Sequence, residues 1–420
     1  MQHYSRREFI GTVGLSGAAL GSCLAAESGA QRPDAGLRSL TTQAKPIAAD
    51  ERLARLARLQ TLMQSQQIAA LLLEAGSSLE YFTGVRWWRS ERTTAALIPA
   101  RGRAVIVTPY FEEPSIRESL QIEGDVRTWK EDESPFKLLA AAMHERDSMV
   151  GPLAIEPTTR FFVWNGVAEE LRGARQLRPG AALVGACRMH KSANELALMQ
   201  VANNVTIAAI RYVHSQVQQG MSGTEVLTIL IDATNRLGGN HESSLVLLNE
   251  ASAFPHGSAK PQAVRSGSVI LIDSTCTVHG YLSDISRTWV HDAASKRQHE
   301  VWNTVKRGQE IALETAKVGS PVGAIDRAVR AYYEGLGWQK DYLLPGLSHR
   351  TGHGIGMDVH EPPYLVRSDQ TPLAVGMCFS DEPGLYIPGE FGVRLEDCWY
   401  MTPQGAQRFT PAAKSLEQPV

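Results

Sequence analysis

The sequence predicts an α+β domain with internal pseudo-twofold symmetry over residues 186–420, preceded by a smaller α/β domain over residues 50–185. Three features carry that prediction. Residues 268–291, SVILIDSTCTVHGYLSDISRTWVH, hold two runs rich in β-branched side chains around a short break, with one acid within each run. Residues 379–401, FSDEPGLYIPGEFGVRLEDCWYM, repeat the design around a Pro-Gly turn. Each stretch follows a block of helical periodicity, so the region reads as two similar halves that present their hairpins to one cleft. Between residues 50 and 156, by contrast, strand-like apolar runs alternate with helical stretches, the pattern of an α/β sheet.

At 420 residues, with a formal net charge of −2 and 43% hydrophobic residues, the chain has the composition of a two-domain globular protein. It has no basic run, aromatic-interleaved patch or charged tail, so the electrostatic footprint of a nucleic-acid binder is missing.

Residues 1–30 stand apart. Ser5-Arg6-Arg7-Glu8-Phe9-Ile10 leads into an uncharged run over residues 11–26, and this ordering resembles a twin-arginine export signal, implying a periplasmic or secreted protein. The run is too short and Gly-rich for a membrane span, so no stable span is expected after processing at Ala26 or Ala30. Leu20-Gly21-Ser22-Cys23 also resembles a weak lipobox, which makes a lipoprotein anchored at Cys23 the alternative.

Residues 31–49 have linker composition. Leu53, Leu56, Leu59 and Met63 then recur at helical spacing, predicting an amphipathic helix with those four side chains on its packed face. Strands are expected at 68–75, 93–100, 103–110 and 150–156, and a helix at 134–146. Trp87 and Trp88, beside Tyr81 and Phe82, read as core or interface packing. The domain boundary falls near residues 179–190. Ser192 and Glu195 form a capping-box pattern that opens a long helix, a second begins near Thr224, a strand covers 243–250, and further helices cover 298–317 and 322–336. Cys187, Cys276, Cys378 and Cys398 show no C-x-x-C spacing and read as buried thiols, with a bridge between Cys378 and Cys398 left open.

The acids in the hairpins carry the chemistry. A turn centred near Val278 and His279 would set Asp273 opposite Asp284, roughly 5 Å apart on one face. Two like charges there repel, and a divalent metal answers the repulsion, since hard cations take carboxylate oxygens. The competing reading is that the acids cap a turn or pair with Arg287. The second hairpin sets Glu382 opposite Glu396 by the same arithmetic, about Pro388 and Gly389. His353, in Thr351-Gly352-His353-Gly354-Ile355-Gly356, brings the inventory to four carboxylates and one imidazole, which suits a two-metal hydrolytic site.

With G-Y-L-S-D-I-S-R-T, H-R-T-G-H-G-I-G, D-E-P-G-L-Y and G-V-R-L-E-D on the page, the chain resembles the pita-bread metallopeptidases of the aminopeptidase P, prolidase and creatinase branch. The resemblance is specific over residues 188–411 and loose over 50–184, where it implies the smaller creatinase/prolidase-type domain. Ser274, where many relatives have Gly, is a departure beside a ligand rather than at one.

The resemblance implies that Asp273, Asp284, His353, Glu382 and Glu396 hold two divalent ions, with Asp284 and Glu396 bridging. It gives Glu382 the further task of moving a proton. The oxygen-rich set favours manganese, with cobalt, iron or zinc as alternatives. His256 and His360 would donate to the scissile carbonyl, and His349 belongs to the proline-specific branch. Arg394 reads as orienting a ligand carboxylate. The implied activity is removal of the first residue from Xaa-Pro peptides by a homodimer acting on small peptides. The alternatives are a C–N hydrolase of a small modified amino acid, or a metal-containing binding protein without turnover.

Overall fold

The computed structural model describes residues 36–145 and 151–420. The export-signal reading of residues 1–30, with its Cys23 alternative, lies outside them. No helix among the described residues is long and apolar enough to cross a membrane.

In the first domain the apolar runs become strands of one six-stranded sheet. Its elements are α1 (Ala49–Ser65), β1 (Ala70–Glu74), α2 (Ser77–Thr83), β2 (Ala95–Pro99), β3 (Ala104–Pro109), α3 (Glu113–Ser119), β4 (Gly124–Trp129), α4 (Pro135–His144), β5 (Leu153–Ile155), α5 (Phe161–Leu171), β6 (Leu177–Pro179) and α6 (Ala181–Arg188). The order β4-β3-β2-β1-β5-β6 puts β1 in the interior of the sheet, antiparallel to β2 and parallel to β5. Every residue of β1 is buried, because helices cover both faces, and so it reads as a continuous apolar run rather than an alternation. The edge strands β4 and β6 were not foreseen. Both are polar and partly exposed, so neither carries an apolar period.

Helix α1 departs from its expected face. Leu59 and Met63 are buried as predicted, but Leu53 is 51% exposed, and Arg52 and Arg55 are buried instead. Their guanidiniums donate to backbone and side-chain oxygens at the junction with the second domain. Arg55 reaches the Tyr281 hydroxyl at 3.0 Å and pairs with Glu195 at 3.3 Å, while lying over the Tyr81 ring. Tyr81 and Phe82 are core, whereas Trp88 is exposed and stacks on Trp87.

The second domain has two halves of like plan. The first comprises α7 (Ala193–Gln216), α8 (Gly223–Arg236), β7 (Asn240–Leu248), β8 (Val269–Val278) and β9 (Tyr281–Val290). The second comprises α9 (Lys296–Thr315), α10 (Gly323–Gly335), β10 (Gly352–Gly354), β11 (Glu361–Leu365), β12 (Cys378–Asp381), β13 (Gly384–Tyr386), β14 (Gly392–Arg394), β15 (Asp397–Thr402) and β16 (Gly405–Arg408). The capping box of Ser192 and Glu195 forms as read, and Ser222 with Glu225 and Ser295 with Gln298 repeat it at α8 and α9.

The first hairpin's register differs from expectation by one step. His279 and Gly280, both at positive φ, are the two loop residues, as a tight hairpin turn of mirror-image type requires. That centre pairs Thr275 with Asp284 and Asp273 with Ser286. The two acids are therefore diagonal neighbours on one face, not directly opposed. The second hairpin keeps its predicted register. Gly384 pairs with Arg394 and Asp381 with Asp397, which leaves Glu382 and Glu396 facing each other where the ladder is interrupted. Cys378 lies opposite Tyr400 and Cys398 opposite Ser380, and both remain free, buried thiols.

The two hairpins meet directly. The Glu396 amide donates to the Ser286 carbonyl at 3.0 Å, and the Thr288 hydroxyl donates to the Arg394 carbonyl at 2.8 Å. Arg287 pairs with neither metal-hairpin acid of its own strands. It crosses to Asp397 at 2.6 Å and donates to the Glu396 carbonyl at 2.7 Å, with both partners essentially fully buried. Gln309 from α9 and Thr410 complete the carboxylate's partners. Removing one member of such a pair leaves an uncompensated buried charge. Arg287→Ala is accordingly expected to lose about 3–5 kcal/mol, read by urea denaturation, and Arg287→Met with Asp397→Asn should recover part of that loss.

Candidate metal centre

The carboxylates are delivered by strands whose other face is core. Asp273 on β8 and Asp284 on β9 point into the cleft. Ile272 and Ile285, next along the chain, are fully buried. Glu396 stands between β14 and β15, and Glu382 between β12 and β13. His353 is the middle residue of β10, where Gly352 and Gly354 lie so close to neighbouring backbone that a Cβ would meet Ser380 O or Glu361 O at 2.2 and 2.3 Å. Small residues there let the strand settle deep enough for its imidazole to reach the acids.

All eight predicted site residues, Asp273, Asp284, His353, Glu382, Glu396, His256, His349 and His360, line one cleft of about 680 Å³. Ligand atoms of Asp284, His353 and Glu396 lie within 4.8 Å of one another. His353 Nε2 stands 3.6 Å from Asp284 Oδ2 and 3.2 Å from Glu382 Oε1. Its Nδ1 contacts the Gly354 carbonyl at 3.1 Å, which puts the proton on Nδ1 and turns Nε2 toward the acids.

Like charge dominates the electrostatics. Burial, followed by the charges of Asp273 and Glu382, raises the Asp284 carboxyl well above its ordinary range. Burial and the charges of Asp284, Glu382 and Asp273 do the same to Glu396. Glu382 goes the other way, to about 2: burial opposes its ionisation, but the hydrogen bond and charge of His353, with His349 and Arg394 behind, outweigh it. One oxygen of Glu396, Oε1, is buried with no hydrogen-bond partner. Four converging carboxylates, an orphaned buried oxygen and an imidazole nitrogen turned toward them are a donor set that fits divalent cations.

Arg394 orients a carboxylate, as read, and the carboxylate is Asp273. Nη2 donates to Asp273 Oδ2 at 2.6 Å, Nε to Ser286 Oγ at 3.0 Å, and Nη1 to the Tyr386 hydroxyl at 3.0 Å. Ser286 in turn donates to Glu396 Oε2 at 2.7 Å, so one guanidinium serves both hairpins. Tyr386 also meets His349 Nε2 at 2.8 Å. Burial lowers the His349 pKa. His360 packs edge-on against His353, ring centroids 4.2 Å apart, and burial with the nearby His353 and Arg350 charges lowers it to about 4. His256 sits on the exposed loop beside Pro255, whose carbonyl Arg394 also holds.

Sequence reasoning missed Ser286, Tyr386 and Arg350. Ser286 owes its role to the true hairpin register. Tyr386 and Arg350 lie inside quoted motifs, four residues after Glu382 and one after His349, where their polar character was the available signal.

Comparison with known proteins agrees with this geometry. The description "Metallopeptidase family M24" fits residues 197–403, and "Creatinase/Prolidase N-terminal domain" fits residues 55–190. An uncharacterized peptidase of Schizosaccharomyces pombe is 30% identical over 363 residues, covering 81% of this chain and 77% of that one. The Xaa-Pro dipeptidase of Lactobacillus helveticus is 29% identical over 344 residues, covering 81% and 92%. The crystal structure of prolidase from Thermococcus sibiricus superposes with a TM-score of 0.78 at 25% identity, covering 86% and 97%.

The raised carboxyls set a pH dependence. Asp284 and Glu396 have ordinary values of 3.8 and 4.5, so above those values the unfolded chain gives up protons that the folded, metal-free protein retains. Stability of the metal-free protein therefore falls as pH rises from about 4.5 toward neutrality. Divalent metal should reverse the fall, by about 2.7 kcal/mol at a hundredfold excess over Kd. Thermal melts of chelator-treated protein with and without metal check this, and Asp284→Asn should flatten both responses.

Proposed function

The chain belongs to metallopeptidase family M24, and on that footing we propose that it is a two-metal peptidase that removes the first residue from Xaa-Pro peptides. The observation that carries the proposal is the convergence of Asp273, Asp284, His353, Glu382 and Glu396 on one cleft. In this reading these five hold two divalent ions, with Asp284 and Glu396 shared between them and manganese the best match to an oxygen-rich set. Such ions supply a water acidic enough to ionise near neutral pH and a Lewis acid for the carbonyl oxygen.

The chain's own residues do the rest. Hydrolysis adds a water oxygen to the carbonyl carbon and a proton to the departing nitrogen. In an Xaa-Pro bond that nitrogen is tertiary and cannot leave as a stable anion. Glu382, an ionised carboxylate in the cleft, accepts the water's proton and delivers it to the proline nitrogen. His360, neutral at pH 7 with a pKa near 4, donates an N–H to the carbonyl oxygen without adding a cation beside the ions, and His256 approaches from the opposite loop. His349, tied to Tyr386, flanks the proline side. The relatives named Xaa-Pro dipeptidase and prolidase support the proline preference. The twin-arginine-like segment supports export of the folded enzyme, and the family resemblance supports a homodimer.

The test is hydrolysis by the metal-stripped protein resupplied with manganese, cobalt or zinc, on Xaa-Pro and Xaa-Ala peptides. Metal should restore cleavage of the proline peptides, and Glu382→Gln should lower kcat by about 10²- to 10⁴-fold, with bound metal counted to separate lost chemistry from lost ligation. Metal binding without peptide cleavage would redirect the search to small C–N substrates.

A further inference from the structure

Two guanidiniums line the cleft, and they differ in what holds them. Arg394 is fully engaged by Asp273, Ser286, Tyr386 and the Pro255 carbonyl. Arg350 is not. Among the described residues no carboxylate pairs with it, and its guanidinium lies 4.5 Å over the ring of Tyr364, another cleft residue. It is partly exposed, and the neighbouring cleft wall is apolar, made by Val359 and Val366. Its effect on the His360 charge sets it close to that imidazole.

A guanidinium that stacks on an aromatic face keeps its in-plane N–H donors free. Those donors form a fork that matches a carboxylate. A dipeptide ending in proline carries such a group one bond beyond the ring, and a longer peptide carries a neutral amide there. We propose that Arg350, supported on Tyr364, binds the free C-terminal carboxylate of the substrate and so makes the enzyme a dipeptidase. The proposal rests on the peptidase reading of the same cleft, but not on its preference for proline.

The experiment compares free acid with amide. Metal-loaded enzyme is assayed on Ala-Pro, Ala-Pro amide, Ala-Ala and Ala-Ala amide, for the wild type, Arg350→Gln and Arg350→Lys. The wild type should favour each acid over its amide in kcat/KM by about 10- to 100-fold, mainly through KM, as expected for one charge-assisted fork. Arg350→Gln should erase that ratio while leaving amide cleavage within about twofold, which also reports an intact fold. Arg350→Lys should keep part of it. Equal rates on acid and amide in the wild type, or a ratio unchanged by Arg350→Gln, overturn the proposal. Equal cleavage of Ala-Pro and Ala-Ala sinks the proline preference instead and leaves the acid-to-amide ratio to decide on Arg350. Should none of the four be cut, calorimetric binding of Ala-Pro and its amide decides: equal affinity overturns the role of Arg350, and an acid preference lost in Arg350→Gln supports it.

Discussion

Repulsion among four carboxylates in one largely buried cleft is the constraint to which the second domain answers. A charge removed from water without a partner costs several kcal/mol, and here the acids are each other's neighbours. Asp284 and Glu396 feel this most, since both are buried and both face the other acids. Arg394 supplies one fixed positive charge, which stands against four negative ones. The remainder calls for cations from outside the chain, and the site is shaped to accept them while the scaffold withstands the strain without them.

That scaffold is polar where it bears the load. The hairpins are not joined by apolar packing alone; Arg287 and Asp397 cross between them at 2.6 Å, with Gln309 holding the other carboxylate oxygen. This ion pair lies immediately behind the ligands, as Asp397 follows Glu396 and Arg287 follows Ser286. Pairing with Asp397 keeps Arg287 off Asp273 and Asp284, the partners that would have neutralised the site. One arginine per task, Arg287 for the scaffold and Arg394 for the ligands, leaves the cleft oxygens facing open space.

Much of this was legible in the sequence because the relevant signals are local. Acids at fixed distances from turn residues, glycines around His353 and the Ser192 capping box each encode their structure within a few residues. Register was the limit in the first hairpin. Val278, His279 and Gly280 allow two turn centres, and only the positive φ at His279 as well as Gly280 selects the later one. The face of α1 was misjudged for a different reason. Arg52 and Arg55 are buried by partners more than twenty residues away in sequence, including Tyr281 in the other domain, and no local period records that. The arginine pairings were hidden likewise, since Arg287 and Asp397 are 110 residues apart.

The junction between the domains reaches into the site through His360. Its neighbour Glu361 is clamped by Arg188 at 2.6 Å and Lys191 at 2.5 Å, and Arg188 also holds Asp358, Ser77 and Ser78. Gly356 makes room for this cluster, because a Cβ there would lie 2.4 Å from Glu361 Oε1. Ser77 and Ser78 belong to the first domain and His360 to the cleft of the second, so the loop bearing His360 is fixed from both sides. Buried ion pairs add little net stability once their desolvation is counted. What this cluster does supply is position: the imidazole at the cleft mouth is one residue from four charge-assisted contacts, and a shift of the first domain cannot occur without moving it.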